Sequence, residues 1–155
     1  MNVVFNAMPT AEAMTLWQGG SDAYGLLPET RTSDGAGYPC RHCLRNIGAG
    51  EDVLVLAYRP FATLQPYAET GPVFLHKIPC RRHDASEALP AILTSPDYIV
   101  RGYDHDDRIV YGTGAVIATG AIPARAAEIL ARDDVAYVHV RSARNNCYQC
   151  RIDPA

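Results

Sequence analysis

No stretch of the chain stays apolar for the roughly 18 residues that a membrane-spanning helix requires, which excludes that topology. Positive charge is not in surplus either. Fourteen Lys and Arg face 17 Asp and Glu, a formal net charge of −3, so the surface as a whole does not attract nucleic acid or an anionic membrane. The P-loop, the Gly-x-Ser-x-Gly elbow and the His-Glu-x-x-His zinc pair are all missing. Asp104-His105-Asp106 begins like a calcium loop, but Ile109 and Ala115 stand where that loop needs Gly and Glu. The run Gly112 to Gly120 places its third glycine too late for a dinucleotide fingerprint. Cysteine is present five times, an odd number that precludes complete disulfide pairing within one chain. MNVVFNAMPTAEAM has no basic segment leading into an apolar one, so the expectation is a cytoplasmic chain whose thiols stay free or bind metal. Trp occurs once and Phe three times against nine Tyr, so aromatic packing here carries hydroxyl groups that suit strands or the walls of polar pockets.

What is present reads as a globular domain. Hydrophobic residues make up 48% and charged residues 20% of 155, enough for one sizeable core, and with no long linker or repeat a single domain is expected over 1–155. Asn2 to Asn6 is strand-like. Pro9 to Gln18 reads as a helix with Ala11, Met14 and Trp17 at helical spacing, stopped by Gly19-Gly20. VLVLAY within Glu51 to Phe61 is apolar on both faces, as in a central strand, and Val73 to His76 is a second short one. Ala85 to Leu93 has the makings of a short helix broken by Pro90. Tyr98 to Tyr103 and Arg108 to Tyr111 resemble two arms of a hairpin about the acidic turn 104–107. Pro123 to Arg132 is the clearest helix, with Ala126, Ile129 and Leu130 on one face, and Val135 to Arg141 follows as a strand. The expected class is α+β: a mostly antiparallel sheet of about five or six strands with two or three helices.

Two groups of residues carry chemistry. Alternation along Val135 to Arg141 puts Tyr137, His139 and Arg141 on one face and Ala136, Val138 and Val140 on the other. The second set is core material. The first, with Arg59, His76 and Arg101 on other expected strands, predicts a pocket for a small anionic or polar ligand, because Arg binds carboxylate or phosphate in a bidentate manner. In that reading Tyr67, His76, Arg101 and Arg141 bind, and His139, whose ordinary pKa lies near neutrality, serves as acid or base if the pocket is catalytic. The bland alternative is that each Arg is structural and paired with an acid.

The second group is Cys40-Arg-His-Cys43 and Cys147-Tyr-Gln-Cys150. Two such pairs supply the four ligands of a tetrahedral zinc, with His42 and Cys80 as substitutes, and predict a zinc-stabilised structural or interaction module. Against this, the pairs lie over a hundred residues apart, and neither has a glycine after its second Cys to make a knuckle turn. A redox dithiol normally opens a helix, which neither pair clearly does. Buried thiols acting as small hydrophobes are a further reading. A nucleic-acid module rests only on the locally basic VRSARNNCYQCR and is opposed by the net charge.

Several blocks taken in order carry a resemblance: GYPCRHCL (37–44), LAYRPF (56–61), PYAETGPVFLH (66–76), RGYD (101–104), IVYGTG (109–114) and VAYVHVRSARNNCYQCRI (135–152). Together they resemble a small bacterial family catalogued as domain of unknown function 1203, over most of the chain from about Gly37 onward. The family's Pro-Cys-Arg, Pro-Tyr-x-x-x-Gly-Pro-(Ile/Val)-Phe and His-Val-Arg blocks match Pro39 to Arg41, Pro66 to Phe74 and His139 to Arg141. A site common to the family, so far as the resemblance implies one, draws on Cys40, Tyr67, His139, Arg141 and Cys147. It implies no reaction, substrate or cofactor.

Overall fold

The alternating C-terminal segment forms the middle of the larger of two sheets. In the computed structural model, which describes residues 1–155, this sheet has five antiparallel strands. Their order is β1 (Val3–Asn6), β8 (Tyr148–Pro154), β7 (Tyr137–Ser142), β5 (Asp97–Tyr103) and β6 (Ala115–Ala118). The smaller antiparallel sheet places β3 (Asp52–Tyr58) between β2 (Glu29–Thr32) and β4 (Gly71–His76), so the VLVLAY run is central, as its two apolar faces require. Two α-helices, α1 (Thr10–Trp17) and α2 (Ile122–Leu130), complete an α+β architecture. The strands number eight in two sheets, where five or six in one sheet are expected from the sequence. No helix is long and apolar enough to cross a membrane.

The five-stranded sheet has two different faces. On one, Val138 and Val140 of β7 join Phe5, Val100, Cys150 and Ile152 beneath α2, which buries Ile122, Ala126, Ile129 and Leu130. A residue alternates faces along a strand, so the opposite face of β7 shows Tyr137, His139 and Arg141. A second core gathers α1, the loop bearing Cys40 and Cys43, strands β3 and β4, and Tyr148 from β8. The ladder shifts between Val140 and Arg141: Val140 pairs with Cys150 but Arg141 with Tyr148, leaving Gln149 as the extra residue of a β-bulge. That bulge lets Cys150 enter the α2 core while Tyr148, two residues earlier, turns to the other core.

Three local expectations are corrected. The buried stripe of α1 runs through Ala13 with Leu16 and Trp17 partly covered, whereas Ala11 and Met14 face outward. Trp17 is anchored by its indole N–H, which donates to the His76 carbonyl at 2.8 Å. Residues 85–93 are not helical, because Ser86 exchanges backbone hydrogen bonds with Phe5 on the edge of β1. Residues 108–111 form only one bridge, Tyr103 with Ile109. There the Thr113 hydroxyl takes over, donating to the Val110 carbonyl at 2.6 Å and accepting from the Gly102 N–H at 2.9 Å, and the chain turns away at Gly112 with φ +88°. The antiparallel partners of β5 are β6 and β7.

Gly102 sits where β5 passes under α2. A Cβ there would lie 2.8 Å from Ile129 Cγ2 and 3.2 Å from both Thr113 Oγ1 and Val135 Cγ1. Gly102→Ala is therefore expected to cost about 1–3 kcal/mol through overpacking, read as a lower midpoint in urea at unchanged slope.

Candidate functional site

The loop before β3 makes a knuckle. Pro39 bridges Asn46, the Cys40 N–H donates to the Arg45 carbonyl at 2.9 Å, and the Leu44 N–H donates back to the Cys40 carbonyl at 3.0 Å. The left-handed position that glycine normally fills in such a turn is taken by Leu44, φ 52°. Its side chain is buried, and the packing around it holds this uncommon conformation. Cys40 also forms a parallel bridge to Phe74 of β4, with the Arg41 N–H donating to the Phe74 carbonyl at 2.9 Å. This pairing carries the knuckle alongside β4 toward its last residue, His76, and the loop that follows presents Cys80.

One ligand atom from each of Cys40, Cys43, His76 and Cys80 lies within 4.8 Å of the others. Cys40 Sγ is 3.8 Å from Cys80 Sγ, and Cys43 Sγ is 3.6 Å from His76 Nδ1. Sulfur about 2.3 Å from a tetrahedral zinc gives edges of about 3.8 Å, which these two separations match, so the cluster is compatible with a metal ion. The thiols bear on one another electrically. Hydrogen bonds from Cys43 and Cys80 hold the Cys40 pKa far below that of a free thiol, whereas the bond to Cys40 pushes Cys43 up to about 11, and Cys80 is pushed up by the same neighbours. Three thiolates this close would repel one another, so a cation among them favours ionising the set. His42 supports the set from behind. Its Nδ1 is 3.3 Å from Cys80 Sγ and its Nε2 is 2.9 Å from the Thr10 hydroxyl, at the start of α1. If Cys80 is a thiolate, His42 donates to it from Nδ1 and accepts from Thr10 at Nε2. A cleft of about 510 Å³ lined by Arg45, Arg81, Arg82 and His83 opens beside Cys43, His76 and Cys80.

The second Cys-x-x-Cys pair is not part of this cluster. Cys150 belongs to the α2 core and Cys40 and Cys43 to the other core, so the two pairs do not assemble into a four-cysteine site. Cys147 lies in the turn before β8, its thiol 3.7 Å from the Asn145 carbonyl. The places of Cys147 and Cys150 are taken by His76 and Cys80. His76-x-x-x-Cys80 is itself a ligand spacing legible in the sequence, and it pairs naturally with Cys40-x-x-Cys43.

Of the residues expected to line a cationic pocket, Arg101, His139 and Arg141 lie on one face of the five-stranded sheet. Arg101 faces His139 across β5 and β7, and His139 faces Arg151 across β7 and β8. Glu69, from the loop before β4, forms ion pairs with Arg101 and, at 3.4 Å, with Arg141. Burial opposes ionisation of Glu69, but Arg141 and Arg101 hold its pKa below the ordinary value. His139 is 1% exposed and is enclosed by the rings of Phe61, Tyr103, Tyr137 and Tyr148 at 4.8–5.2 Å. Burial first, then Arg141, Arg151 and Arg101, drive its pKa well below 6.5, so it is neutral at pH 7. Tyr67 stands apart, its hydroxyl 3.1 Å from that of exposed Tyr111, and His76 belongs with the thiols. Glu69, Tyr103 and Arg151 were not singled out by the sequence. Tyr103 was within reach, two residues from Arg101 on the same strand face.

The fold and this geometry define an α+β domain with a Cys3His cluster compatible with a metal ion. A family model described as "Protein of unknown function (DUF1203)" matches residues 37–153, and the chain belongs to that family. The matched span contains all four residues of the cluster and all of β3 to β7. No curated protein and no solved structure matches the chain.

Proposed function

We propose that this protein is a metal-binding domain in which Cys40, Cys43, His76 and Cys80 hold one zinc-class ion as a structural clasp. The observation that carries the reading is the convergence of three sulfurs and one imidazole nitrogen within 4.8 Å, from two stretches of chain, 40–43 and 76–80. Three thiolates and an imidazole are soft to borderline donors, which favour zinc over magnesium or calcium. With four protein ligands the coordination shell is closed, which is the pattern of a structural rather than a hydrolytic zinc. The clasp ties the knuckle to the end of β4 and to the loop after it, adding to the Cys40–Phe74 bridge, the loop hydrogen bonds and the packing of the second core that already join these pieces.

The test is metal content on untagged protein purified without chelator, with a thiol count on the same sample. One zinc per chain is expected. Cys147 should react with a thiol reagent at once, and Cys40, Cys43 and Cys80 only after chelation. Metal-free protein that takes up no added zinc and melts at the same temperature with and without chelator would reject the clasp.

A further inference from the structure

Away from the thiols, the polar face of the large sheet borders a cavity of about 490 Å³, a volume within the range of small-molecule sites. His139 of β7 and Tyr148 of β8 line it, with Glu12 from the first turn of α1 and Tyr58 and Phe61 from the end of β3 and just beyond. Its charged groups are unequally engaged. Arg151 pairs with Asp153, which also accepts from Asn6 Nδ2 at 2.8 Å, and lies over the Tyr137 ring at 3.9 Å. Arg82 donates from Nε and Nη2 to the carbonyls of Met8 and Ala7, at 3.1 and 2.7 Å. Both guanidinium groups are thus held in the wall. The carboxylates of Glu12 and Asp107 each receive one phenol instead, Tyr58 at 2.5 Å on Glu12 Oε2 and Tyr137 at 2.6 Å on Asp107 Oδ1. Such short, charge-assisted bonds orient a carboxylate and leave its second oxygen free to accept.

The sign of the wall follows. Glu12, Asp107 and Asp153 stand against Arg82 and Arg151, one negative charge in excess, and neutral His139 adds nothing to it. These acids do not converge as metal ligands do, whereas the Cys3His set does. Dispersed acids around a space of this size suit an organic cation. The rings suit one as well. Tyr58 and Tyr148 stand edge to face at 5.4 Å, Phe61 and His139 are tilted at 5.2 Å, and aromatic faces both attract a cation and cover its apolar part. His139 is 1% exposed and its Nδ1 is sealed without a partner, so Nε2 is the nitrogen that can meet a ligand. A buried polar ring left unsatisfied on a cavity wall marks a place for a ligand or ordered water.

We propose that this cavity binds a small organic monocation, an amine whose ammonium group meets the free oxygen of Glu12 and whose apolar body lies against Tyr58, Phe61, Tyr148 and His139. Glu12 is exposed, which places the charged end at the mouth and the body within. Asp107 contributes attraction from the wall. The site is independent of the metal clasp.

The probe is benzylamine, titrated at pH 7 into the metal-replete, full-length protein while its aromatic and backbone resonances are followed by NMR. Benzyl alcohol and benzoate are the neutral and anionic counterparts. Benzylamine is expected to shift the signals of Tyr58, Phe61, His139 and Tyr148 saturably, benzyl alcohol to bind more weakly and benzoate not to bind. Glu12→Gln keeps an acceptor for Tyr58 but removes the charge; it should weaken benzylamine about tenfold and leave benzyl alcohol unchanged, a split that a damaged fold would not produce. Asp107→Asn should weaken benzylamine by less. Glu128→Gln, on α2 against the opposite face of the sheet, should bind it as wild type does. Should Glu12→Gln not fold, the three probes on the wild-type protein decide alone. No saturable shift with benzylamine overturns the proposal, and so do shifts confined to residues outside the cavity. Benzoate binding as tightly as benzylamine overturns the sign, and benzyl alcohol binding equally shows that no charge is read. Undiminished binding by Glu12→Gln removes Glu12 from the site and overturns the anchoring.

Discussion

Cys40→Ser is expected to abolish stoichiometric zinc and to lower the melting temperature by roughly 10 °C or more, since a chain of this size loses about 2–4 °C per kcal/mol and metal-binding free energy is folding free energy. A serine hydroxyl is a hard, neutral oxygen where a thiolate is needed, and Cys40 is the member of the set most inclined to ionise. Its side chain is wholly buried, so the change also places a hydroxyl among apolar neighbours; a chelator separates the two effects. Wild type treated with chelator should drop most of the way to the variant, and the variant should not respond to chelator at all. Cys80→Ser should behave similarly from a less buried position. The contrast lies in the other thiols. Cys150→Ser buries a hydroxyl in the α2 core and should lose about 1–3 kcal/mol while keeping its zinc. Cys147→Ser should change neither quantity appreciably. Zinc lost on replacing Cys147 or Cys150, and kept on replacing Cys80, would restore the four-cysteine arrangement and sink the Cys3His one.

The unequal legibility of this chain follows from which forces are local. The faces of β7 could be read off because alternation is a property of one strand: Val138 and Val140 enter the core and His139 and Arg141 the polar face wherever the neighbours lie. The α2 stripe of Ala126, Ile129 and Leu130 could be read for the same reason. Partnership was harder. Arg108 to Tyr111 has a composition fit for a strand, yet the Thr113 hydroxyl displaces it from the ladder after one bridge, a competition between a side chain and the backbone that no periodicity records. β8 was masked by its Cys-x-x-Cys, whose spacing invited a knuckle; the bulge at Gln149 instead sends Cys150 and Tyr148 to different cores. Neither pair has a glycine after its second Cys, yet Leu44, buried, adopts the left-handed conformation that glycine usually supplies. Glu69 was invisible for a different reason. Its role exists only where the loop before β4 meets β5 and β7, and nothing in its immediate sequence announces two buried arginines.

Those arginines make Glu69 the residue whose loss should matter most outside the Cys3His cluster. Its side chain is 26% exposed, against 18% for Arg101 and 4% for Arg141, and it also accepts from Asn146 Nδ2 at 3.1 Å. Glu69→Gln keeps the shape and removes the charge, leaving two guanidinium groups near each other without their shared counter-ion. Removing one partner of a buried pair costs about 3–5 kcal/mol, and the residual exposure of Glu69 places the expected loss near the lower figure, about 3 kcal/mol at pH 7. The dependence on pH separates this from a packing effect. The folded pKa of Glu69 lies below its ordinary 4.5, so between the two values the unfolded chain binds a proton that the folded chain does not. Stability from the ion pairs is thus fully present above about pH 4.5 and disappears as the pH falls through the folded pKa. Neutral, buried His139 has the same sign but an earlier window, beginning near its ordinary 6.5, and it is common to both proteins. The gap between wild type and Glu69→Gln, measured by urea unfolding at a series of pH values, should therefore stay constant from pH 7 to 5 and close below 4.5 as wild type acquires the same uncharged side chain. A gap that persists at low pH would mean that Glu69 acts through the fit of its side chain. A gap absent at pH 7 would mean that Arg101 and Arg141 find other acceptors, and the cationic face would then be held together by the ladder and the aromatic rings around His139.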